Sequence, residues 1–461
     1  MTQANRGKPE FVRLLLASMP TEQKKILLNA LDANSHTGIL SDLFNRGRGD
    51  MALFDEVLAQ PELDVKSLNE TEHVLGEILL AGNTALAERL EREYGLDIAG
   101  ETQGNGGSLI SAAMQQTNEP VFRYLRQRGM TPTVDDYIQM LVQRAGAFRP
   151  APESYAQQMA ENRKTFENFF NVVLNEGGLD ENFVALQGAI QTRDAANVKK
   201  LAASAVDLTP HVFALLAQND MEGLSLLLKV AKPDLSRAYY INSNRRDFSP
   251  LMYAADHDYV GMKDNPTAKP RQDTFHALLK GGAMVSPQEL FALAHDLVHK
   301  GDQYVVLDVL KGNHIPSALS ALHQSVKTAT KNGDTKAVTK ALRSVSDVDA
   351  MNLLLTYAEL GDRKSFQTLA SRMDAETLAQ PAPAGVLLYP LGEAGTLVAY
   401  LLHWLKKGCA EDLLKRFKQA GVDPRPYCDL QEAARKAEAQ RSFPNPGRGS
   451  LAMVNRYFPK P

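Results

Sequence analysis

The stretch that most constrains the fold of this chain runs from residue 248 to residue 283. Its first part reads SPLMYAA at 249–255, where Ser249 can cap a helix and Pro250 suits the first helical position. Its last part reads LLKGGA at 278–283, and a glycine at this place commonly ends a helix in the left-handed conformation. Ala254 and Ala255 are small enough for a neighbouring helix to approach closely. The stretch therefore predicts a pair of helices, with the leucines at 278 and 279 filling the layer against the next pair.

A turn marker recurs along the chain at the spacing of a helix pair. The marker is a Gly or Asp followed by a polar residue, with an apolar pair about eight residues, or two helical turns, later. Gly49 and Gly82 fit this marker and lie 33 residues apart. Later occurrences, with spacings of 32, 28 and 47 residues, are Gly301, Gly333, Gly361 and Gly408. Because no stretch shows the alternation of a hairpin strand, we predict an all-α chain of stacked helix pairs.

The stretch at 249–283 resembles an ankyrin repeat, whose signature begins Thr-Pro-Leu-His-x-Ala and whose length is about 33 residues. Residues 107–129 and 49–97 also resemble this family. The resemblance implies an ankyrin-like helical-repeat solenoid, with degenerate helix-pair repeats and inserted loops, whose concave face and projecting turns bind other proteins. In general character, with irregular units and no signal-type apolar run, the chain is similar to bacterial ankyrin-repeat effectors delivered into host cells.

The repeat at 249–283 is interrupted by a polar segment. In an uninterrupted unit the apolar pair would follow Asp258 by about eight residues, whereas Leu278 follows it by 20. The segment 259–274 contains two prolines and cannot continue a helix. Because loops on a rigid scaffold commonly carry recognition, we expect this insertion to contact the partner. Its charged candidates are Lys263, Asp264, Lys269 and Arg271.

These patterns predict five regions. They are an N-terminal helical cap (1–40), ankyrin-like repeats with an insertion near 146–162 (41–180), ankyrin-like or helical-pair repeats with the insertion at 259–274 (181–374), a C-terminal helical segment (375–441) and an extended or disordered tail (442–461). The tail is so assigned because it has four prolines and no acidic residue.

Composition narrows the class of partner. Hydrophobic content of 44% and charged content of 23% are typical of a globular chain, and a net charge of −3 argues against a general nucleic-acid binder. The N-terminus lacks the apolar run of a signal peptide. The apolar window 385–405 contains Pro390, Glu393 and His403, so we expect buried helices there rather than a membrane span. We therefore expect a cytoplasmic protein, or one secreted into a host cell without a cleavable signal, that binds another protein and no cofactor, nucleic acid or small molecule.

A zinc site is one alternative. His295 and His299 have the i, i+4 spacing of an H-E-x-x-H site, although Asp296 replaces the glutamate and has a shorter reach. A third ligand would come from Asp302, Asp308 or His314. We favour the other interpretation, in which His295 lies near the histidine position of an ankyrin first helix and forms a hydrogen bond.

The two cysteines, Cys409 and Cys428, exclude a disulfide framework but leave a thiol mechanism open. His403 lies six residues before Cys409, yet catalytic partners meet in space rather than in sequence. We favour inert thiols and name no catalytic, cofactor or metal residue. The leading hypothesis is a protein–protein interaction module. The alternatives are a hydrolase-like segment, cysteine- or metal-dependent, in 131–180 or 375–461, and a purely self-assembling solenoid.

Overall fold

The computed structural model describes residues 9–31, 37–46, 51–102, 107–145, 153–205, 207–241, 246–258, 272–298, 303–386, 395–404, 406–439 and 450–459. Over these ranges the chain forms 28 α-helices and two strands of three residues, which confirms the all-α prediction. Every helix in these ranges is too short or too polar to cross a bilayer.

The chain divides into two compact units. Unit 1 comprises residues 1–223 and 241–245, and unit 2 comprises residues 224–240 and 246–461. The helices that begin in unit 1 are α1 Pro9–Ser18, α2 Thr21–Leu28, α3 Ile39–Arg46, α4 Met51–Leu58, α5 Val65–Glu72, α6 Val74–Leu80, α7 Thr84–Tyr94, α8 Leu109–Gln115, α9 Glu119–Gln127, α10 Val134–Arg144, α11 Ala156–Glu176, α12 Glu181–Gln191, α13 Ala195–Ser204, α14 Thr209–Gln218 and α15 Met221–Ala231.

The remaining elements belong to unit 2, apart from the last residue of the first strand. They are β1 Tyr239–Ile241, β2 Arg246–Phe248, α16 Pro250–Asp258, α17 Gln272–Lys280, α18 Pro287–Val298, α19 Gln303–Lys311, α20 Ser317–Asn332, α21 Lys336–Leu342, α22 Asp347–Glu359, α23 Arg363–Ala370, α24 Ala375–Ala379, α25 Leu397–His403, α26 Lys407–Ala420, α27 Leu430–Ala439 and α28 Ser450–Tyr457. The short strands pair with each other and were not expected from the sequence.

Helices that follow one another in unit 1 pack as pairs, namely α3 with α4, α6 with α7, α8 with α9, α10 with α11 and α12 with α13. The first helices also pack on each other, from α3 to α6, α8, α10 and α14 in turn. Surface ion pairs join α1 to α4, α4 to α7, α7 to the residue that follows α9, and α9 to α11. They are Arg13–Glu56, Asp55–Arg89, Glu91–Arg128 and Arg123–Glu176. Exposed pairs of this kind contribute little stability each, so burial of the first helices holds unit 1 together.

Unit 2 has the same arrangement of pairs, with α16–α17, α18–α19, α20–α21, α22–α23, α25–α26 and α27–α28 each in contact. One row of contacts runs from α16 to α18 and α22, and a second runs from α20 to α23, α26 and α28. In both units one of these contacts joins helices that are two pairs apart in sequence. The helix α10 packs on α14, with the α12–α13 pair between them in sequence, and α18 packs on α22, with the α20–α21 pair between them.

One turn conformation recurs between the helices of five pairs. The residue with positive φ is Gly82, Thr117, Arg193, Asn219 or Gly361. The next residue is always an Asn or Asp whose side chain accepts a hydrogen bond from the backbone N–H three residues on: Asn83, Asn118, Asp194, Asp220 and Asp362. This side-chain cap begins the second helix, because the first N–H groups of a helix have no partner within it. The sequence marker identified two of these turns, at Gly82 and Gly361. Gly408, which the marker also selected, lies inside α26.

The interpretation of 249–283 as two helices is confirmed. The Ser249 hydroxyl accepts from the Met252 N–H at 3.2 Å, and α16 begins at Pro250. Leu278 and Leu279 are buried, and Gly282 ends the second helix with a φ of +95°.

Three local predictions were wrong. Residues 272–274, expected at the end of the insertion 259–274, form the first turn of α17. Residues 156–162, expected within an insertion, form the beginning of α11, which follows a single 3₁₀ turn at Glu153–Tyr155. The tail 442–461, expected to be extended, contains α28, because Val454 and Phe458 at helical spacing are buried and outweigh the flanking prolines. Gln431 Nε2 also donates to the Phe458 carbonyl at 2.8 Å, which fixes the end of this helix.

Candidate functional site

A buried carboxylate, Glu359, lies at the last residue of α22 in unit 2 and is 2% exposed. Tyr400 in α25 donates its hydroxyl hydrogen to Glu359 Oε1 at 2.6 Å. Lys406, which precedes α26, places Nζ 2.9 Å from Glu359 Oε2. The carboxylate therefore joins α22 to the α25–α26 pair.

His295 in α18 completes this group, which we call the Glu359 cluster (Glu359, His295, Tyr400 and Lys406). His295 Nδ1 lies 3.0 Å from the Tyr400 hydroxyl oxygen and 3.6 Å from Glu359 Oε1. Because Tyr400 gives its only hydrogen to Glu359, its oxygen accepts from the histidine, and this assigns a hydrogen to Nδ1. The hydrogen bond expected for His295 is thus confirmed.

The charge states of the cluster follow from its contacts. Burial alone raises the pKa of Glu359, but hydrogen bonds from His295 and Tyr400 and the ion pair with Lys406 outweigh it and lower the pKa to about 2. Burial, followed by the adjacent carboxylate, raises the pKa of Tyr400 far above its ordinary value. At neutral pH Glu359 is charged and Tyr400 is neutral, so neither is poised for proton transfer near pH 7. The cluster is chemically suited to holding three helices together.

Lys406 occupies a turn position that an acidic or amide residue fills elsewhere. Its N–H donates to the Leu401 carbonyl at 2.8 Å, as the Asp362 N–H donates to the Tyr357 carbonyl at 2.9 Å. A lysine cannot cap the following helix as Asp362 does, and its ammonium group is directed at Glu359 instead. Sequence reasoning missed this pair. One sequence feature could have indicated it: Glu359 directly follows residues 350–358, which form a largely apolar helical stretch without a charged side chain.

The two thiols are both held in the neutral form. Burial raises the pKa of Cys409 to about 12, and burial likewise raises the pKa of Cys428. The ring of His403, the suggested partner, lies against Trp404 with 5.2 Å between centroids. A thiolate nucleophile requires the opposite environment, one that lowers the thiol pKa.

Several predicted residues fall outside the described ranges. These are the insertion candidates Lys263, Asp264, Lys269 and Arg271, together with His299 and Asp302 of the zinc alternative. Within the ranges that are described, no group of three or more His, Cys, Asp or Glu side chains is arranged to hold a metal ion. Of the remaining zinc candidates, Asp308 is exposed on α19, and the backbone carbonyl of His314 accepts from the Val285 N–H at 2.7 Å.

Unit 1 buries a polar group of another kind, the His211 cluster (His211, Gln187, Phe183, Tyr137 and Gln218). His211 Nδ1 lies 3.0 Å from Gln187 Oε1, and its ring stacks on Phe183 with 4.5 Å between centroids. Burial lowers the pKa of His211 to about 4 and raises the pKa of Tyr137. The Tyr137 hydroxyl faces the Gln218 amide without a hydrogen bond of normal geometry. This cluster is therefore neutral at pH 7.

An open cleft of about 530 Å³ lies on the surface of unit 1, and we call it the α11 cleft. It is bounded by the α8–α9 turn, the end of α10 and the first half of α11. Its lining residues are Gln116, Thr117, Gln143, Arg144, Met159, Asn162, Thr165 and Phe166. Arg144 is held in place because Nε and Nη2 donate to the Gln115 carbonyl at 3.0 and 2.6 Å.

Comparison with known proteins adds no relative. Neither a protein-family model, nor a curated protein, nor a solved structure matches this chain. The ankyrin resemblance consequently stays a prediction, based on residues 249–283 and the weaker matches at 107–129 and 49–97.

Proposed function

We propose that this chain is a protein-binding scaffold, built as an ankyrin-like solenoid of degenerate helix pairs. The observation that supports it is the recurrent turn, in which five helix pairs use one backbone conformation and one side-chain cap. Four of these five turns lie in unit 1, where the first helices α6 and α8 of two of them pack on each other. We infer that the turn residues of stacked pairs lie along one edge, which is how stacked repeats present a binding surface.

A stacked scaffold binds well because its surface is ordered before the partner arrives. The helices are fixed by buried first-helix residues, so exposed turn side chains lose little conformational freedom on binding. Ala81, Gln116 and Thr192, each directly before the positive-φ residue, are exposed. These positions are free to vary without disturbing the cap that follows them.

The buried polar groups favour binding over the hydrolase alternative. Glu359 is fully charged and the thiols are fully protonated at neutral pH, since their pKa values lie near 2 and well above 7. We infer that the partner is another protein, met in the cytoplasm or, for a secreted effector, in a host cell.

A matched pair of double variants tests the turn edge. Ala81→Glu with Thr192→Glu adds two negative charges at turns, whereas Gln127→Glu with Ala203→Glu adds two at exposed positions of second helices. The partner is first isolated by cross-linking in cells that make the chain, and its Kd is then measured with each purified variant. We expect the turn variant to weaken binding at least tenfold and the helix variant to change it less than twofold. Equal effects of the two variants would contradict the proposal.

The inserted segment is tested separately. Deletion of residues 259–271 removes all four charged candidates, Lys263, Asp264, Lys269 and Arg271, and leaves α17 at its full length. If the insertion contacts the partner, the same Kd rises at least tenfold. Unchanged binding would remove the insertion from the proposal while leaving the turn edge in place.

A further inference from the structure

The α11 cleft has a lining suited to one class of ligand. Six of its eight lining residues are polar, and three of these carry side-chain amides: Gln116, Gln143 and Asn162. A side-chain amide offers the same donor and acceptor as a peptide group, so it can pair with an extended backbone. The volume of about 530 Å³ lies within the range of ligand sites.

Arg144 gives the cleft its charge. It is the single charged residue among those lining the cleft, and no acidic side chain lines it. The bonds from Nε and Nη2 to the Gln115 carbonyl hold the guanidinium group in one orientation. Within the described part of the chain, Arg144 Nη1 has no hydrogen-bond partner. A held guanidinium group with donors to spare is a good receptor for a carboxylate.

Helix α11 forms the far wall with one face. Met159, Asn162 and Phe166 lie three and four residues apart, the spacing of side chains on one side of a helix. Residues 156–165 are otherwise exposed, so the first half of this 21-residue helix stands out from the rest of unit 1. Phe166 is buried and Met159 half-buried, which gives the cleft an apolar floor beside its amides.

The near wall contains a strained residue. Thr117 has a φ of +58° at a turn position that the other four pairs fill with Gly82, Arg193, Asn219 and Gly361. Positive φ is unfavourable for a β-branched side chain, and such conformations are concentrated at ligand sites. A threonine retained here supplies a hydroxyl group at the wall of the cleft.

We propose that the α11 cleft binds an extended acidic peptide segment. The amides of Gln116, Gln143 and Asn162 pair with its backbone, Arg144 binds an Asp or Glu side chain, and Met159 with Phe166 contacts a neighbouring apolar side chain. This proposal rests on the proposed function, because the segment would belong to the protein partner.

The test uses the full-length chain and two libraries of displayed octapeptides. One library fixes two positions as Asp or Glu and randomises the others, and the matched library fixes the same positions as Asn or Gln. We expect the acidic library to be enriched at least tenfold over the amide library. Equal enrichment of the two libraries would overturn the proposal.

Variants locate the binding. Arg144→Gln should reduce the acidic enrichment at least tenfold, whereas Lys164→Gln, the same charge change on α11 outside the cleft lining, should leave it unchanged. Asn162→Trp fills the cleft from an exposed position without touching the Arg144 contacts, and it should abolish enrichment even if Arg144→Gln fails to fold. Equal losses from Lys164→Gln and Arg144→Gln would show a general charge effect and overturn the proposal.

The outcome is separable from that of the scaffold proposal. If the turn variants weaken binding of the whole partner but Asn162→Trp does not, the scaffold proposal is supported and the cleft proposal fails. If Asn162→Trp weakens binding of the partner and the turn variants do not, the cleft proposal is supported and the proposal for the turn edge fails.

Discussion

The two buried polar clusters, one in unit 1 and the other in unit 2, differ in charge. The His211 cluster of unit 1 is neutral, with a histidine whose pKa is lowered by burial and a tyrosine whose pKa is raised by it. The Glu359 cluster of unit 2 is charged, and its carboxylate contacts side chains from two other helices and from Lys406. Helix pairs of similar design can thus be held by either kind of group. The stability of a charged cluster depends far more on every partner being present, because an unpaired buried charge is costly.

The largest expected effect comes from removing the carboxylate. Glu359→Leu leaves Lys406 without its anion and Tyr400 without its acceptor, and we expect a loss of about 3 kcal/mol in the free energy of unfolding of unit 2. Urea unfolding followed by tryptophan fluorescence measures this directly, since Trp404 is the only tryptophan and its ring lies 4.6 Å from that of His295.

The double variant Glu359→Leu with Lys406→Met serves as its control. Removing both charges together should restore about half of the loss, because no buried charge is then left unpaired. A double variant as unstable as the single one would argue against the ion pair.

Acid should act on the two clusters in different pH ranges. The pKa of His211 is lowered from 6.5 to about 4, so the unfolded chain binds its proton first, and stability present above pH 6.5 is lost as pH falls towards 4. The pKa of Glu359 is lowered from 4.5 to about 2, so its contribution is present above pH 4.5 and is lost only between 4.5 and 2.

A single variant separates these ranges. Between pH 7 and pH 4.5, His211→Gln should remove about 2.5 kcal/mol of the acid-induced loss, as measured by urea unfolding at both pH values with circular dichroism. Unit 2 also contains a buried histidine, His323, whose pKa is lowered to about 4 by burial and by Lys327. His323→Gln should therefore act in the same range as His211→Gln, and neither variant should alter the loss below about pH 3.

Two tyrosine-to-phenylalanine variants compare the clusters at equal volume. Tyr400→Phe removes a hydrogen bond to a charged acceptor and should cost about 2 kcal/mol, whereas Tyr137→Phe should cost less than about 1 kcal/mol because its hydroxyl has no well-formed bond. Thermal unfolding of the two purified variants tests this order. If Tyr137→Phe were the more damaging, the assignment of the stronger cluster to unit 2 would be wrong.

The smallest effects concern the shared turn. Exchange of the residues at equivalent positions should change the free energy of unfolding in opposite directions. Gly361→Thr in unit 2 should lower it by about 1–2 kcal/mol, and Thr117→Gly in unit 1 should raise it by up to about 1 kcal/mol. Chemical denaturation is precise enough to resolve the two signs. Destabilisation by Thr117→Gly would show that threonine is needed there for contacts rather than merely tolerated.

Short-range features of this chain could be predicted from the sequence. The Ser249 cap, the Pro250 start and the Gly282 end each depend on residues within one turn, and all three are present. The prolines of the tail predicted an extended or disordered segment, but its apolar residues are buried against α26 and α27, and this burial stabilises α28.

Long-range features could not be predicted in this way. Glu359 meets Lys406 and His295 only because three helices from distant parts of unit 2 pack together. No local pattern encodes that meeting, and the unusual lysine at a cap position is recognisable only once the turn at Asp362 is known. The α11 cleft is of the same kind, since the α8–α9 turn, α10 and α11 each contribute part of its lining.

Glu359 is held in the charged form at neutral pH and joins helices, and it is not poised to act as an acid–base residue. Carbon-13 NMR of the full chain with labelled glutamate side chains, assigned with Glu359→Gln, measures its ionisation directly. We predict a carboxylate signal for Glu359 that shows no titration from pH 7 down to about pH 3. A titration midpoint at or above pH 4.5 would contradict the account, because the buried carboxyl group would then be protonated under mild acid and available for proton transfer.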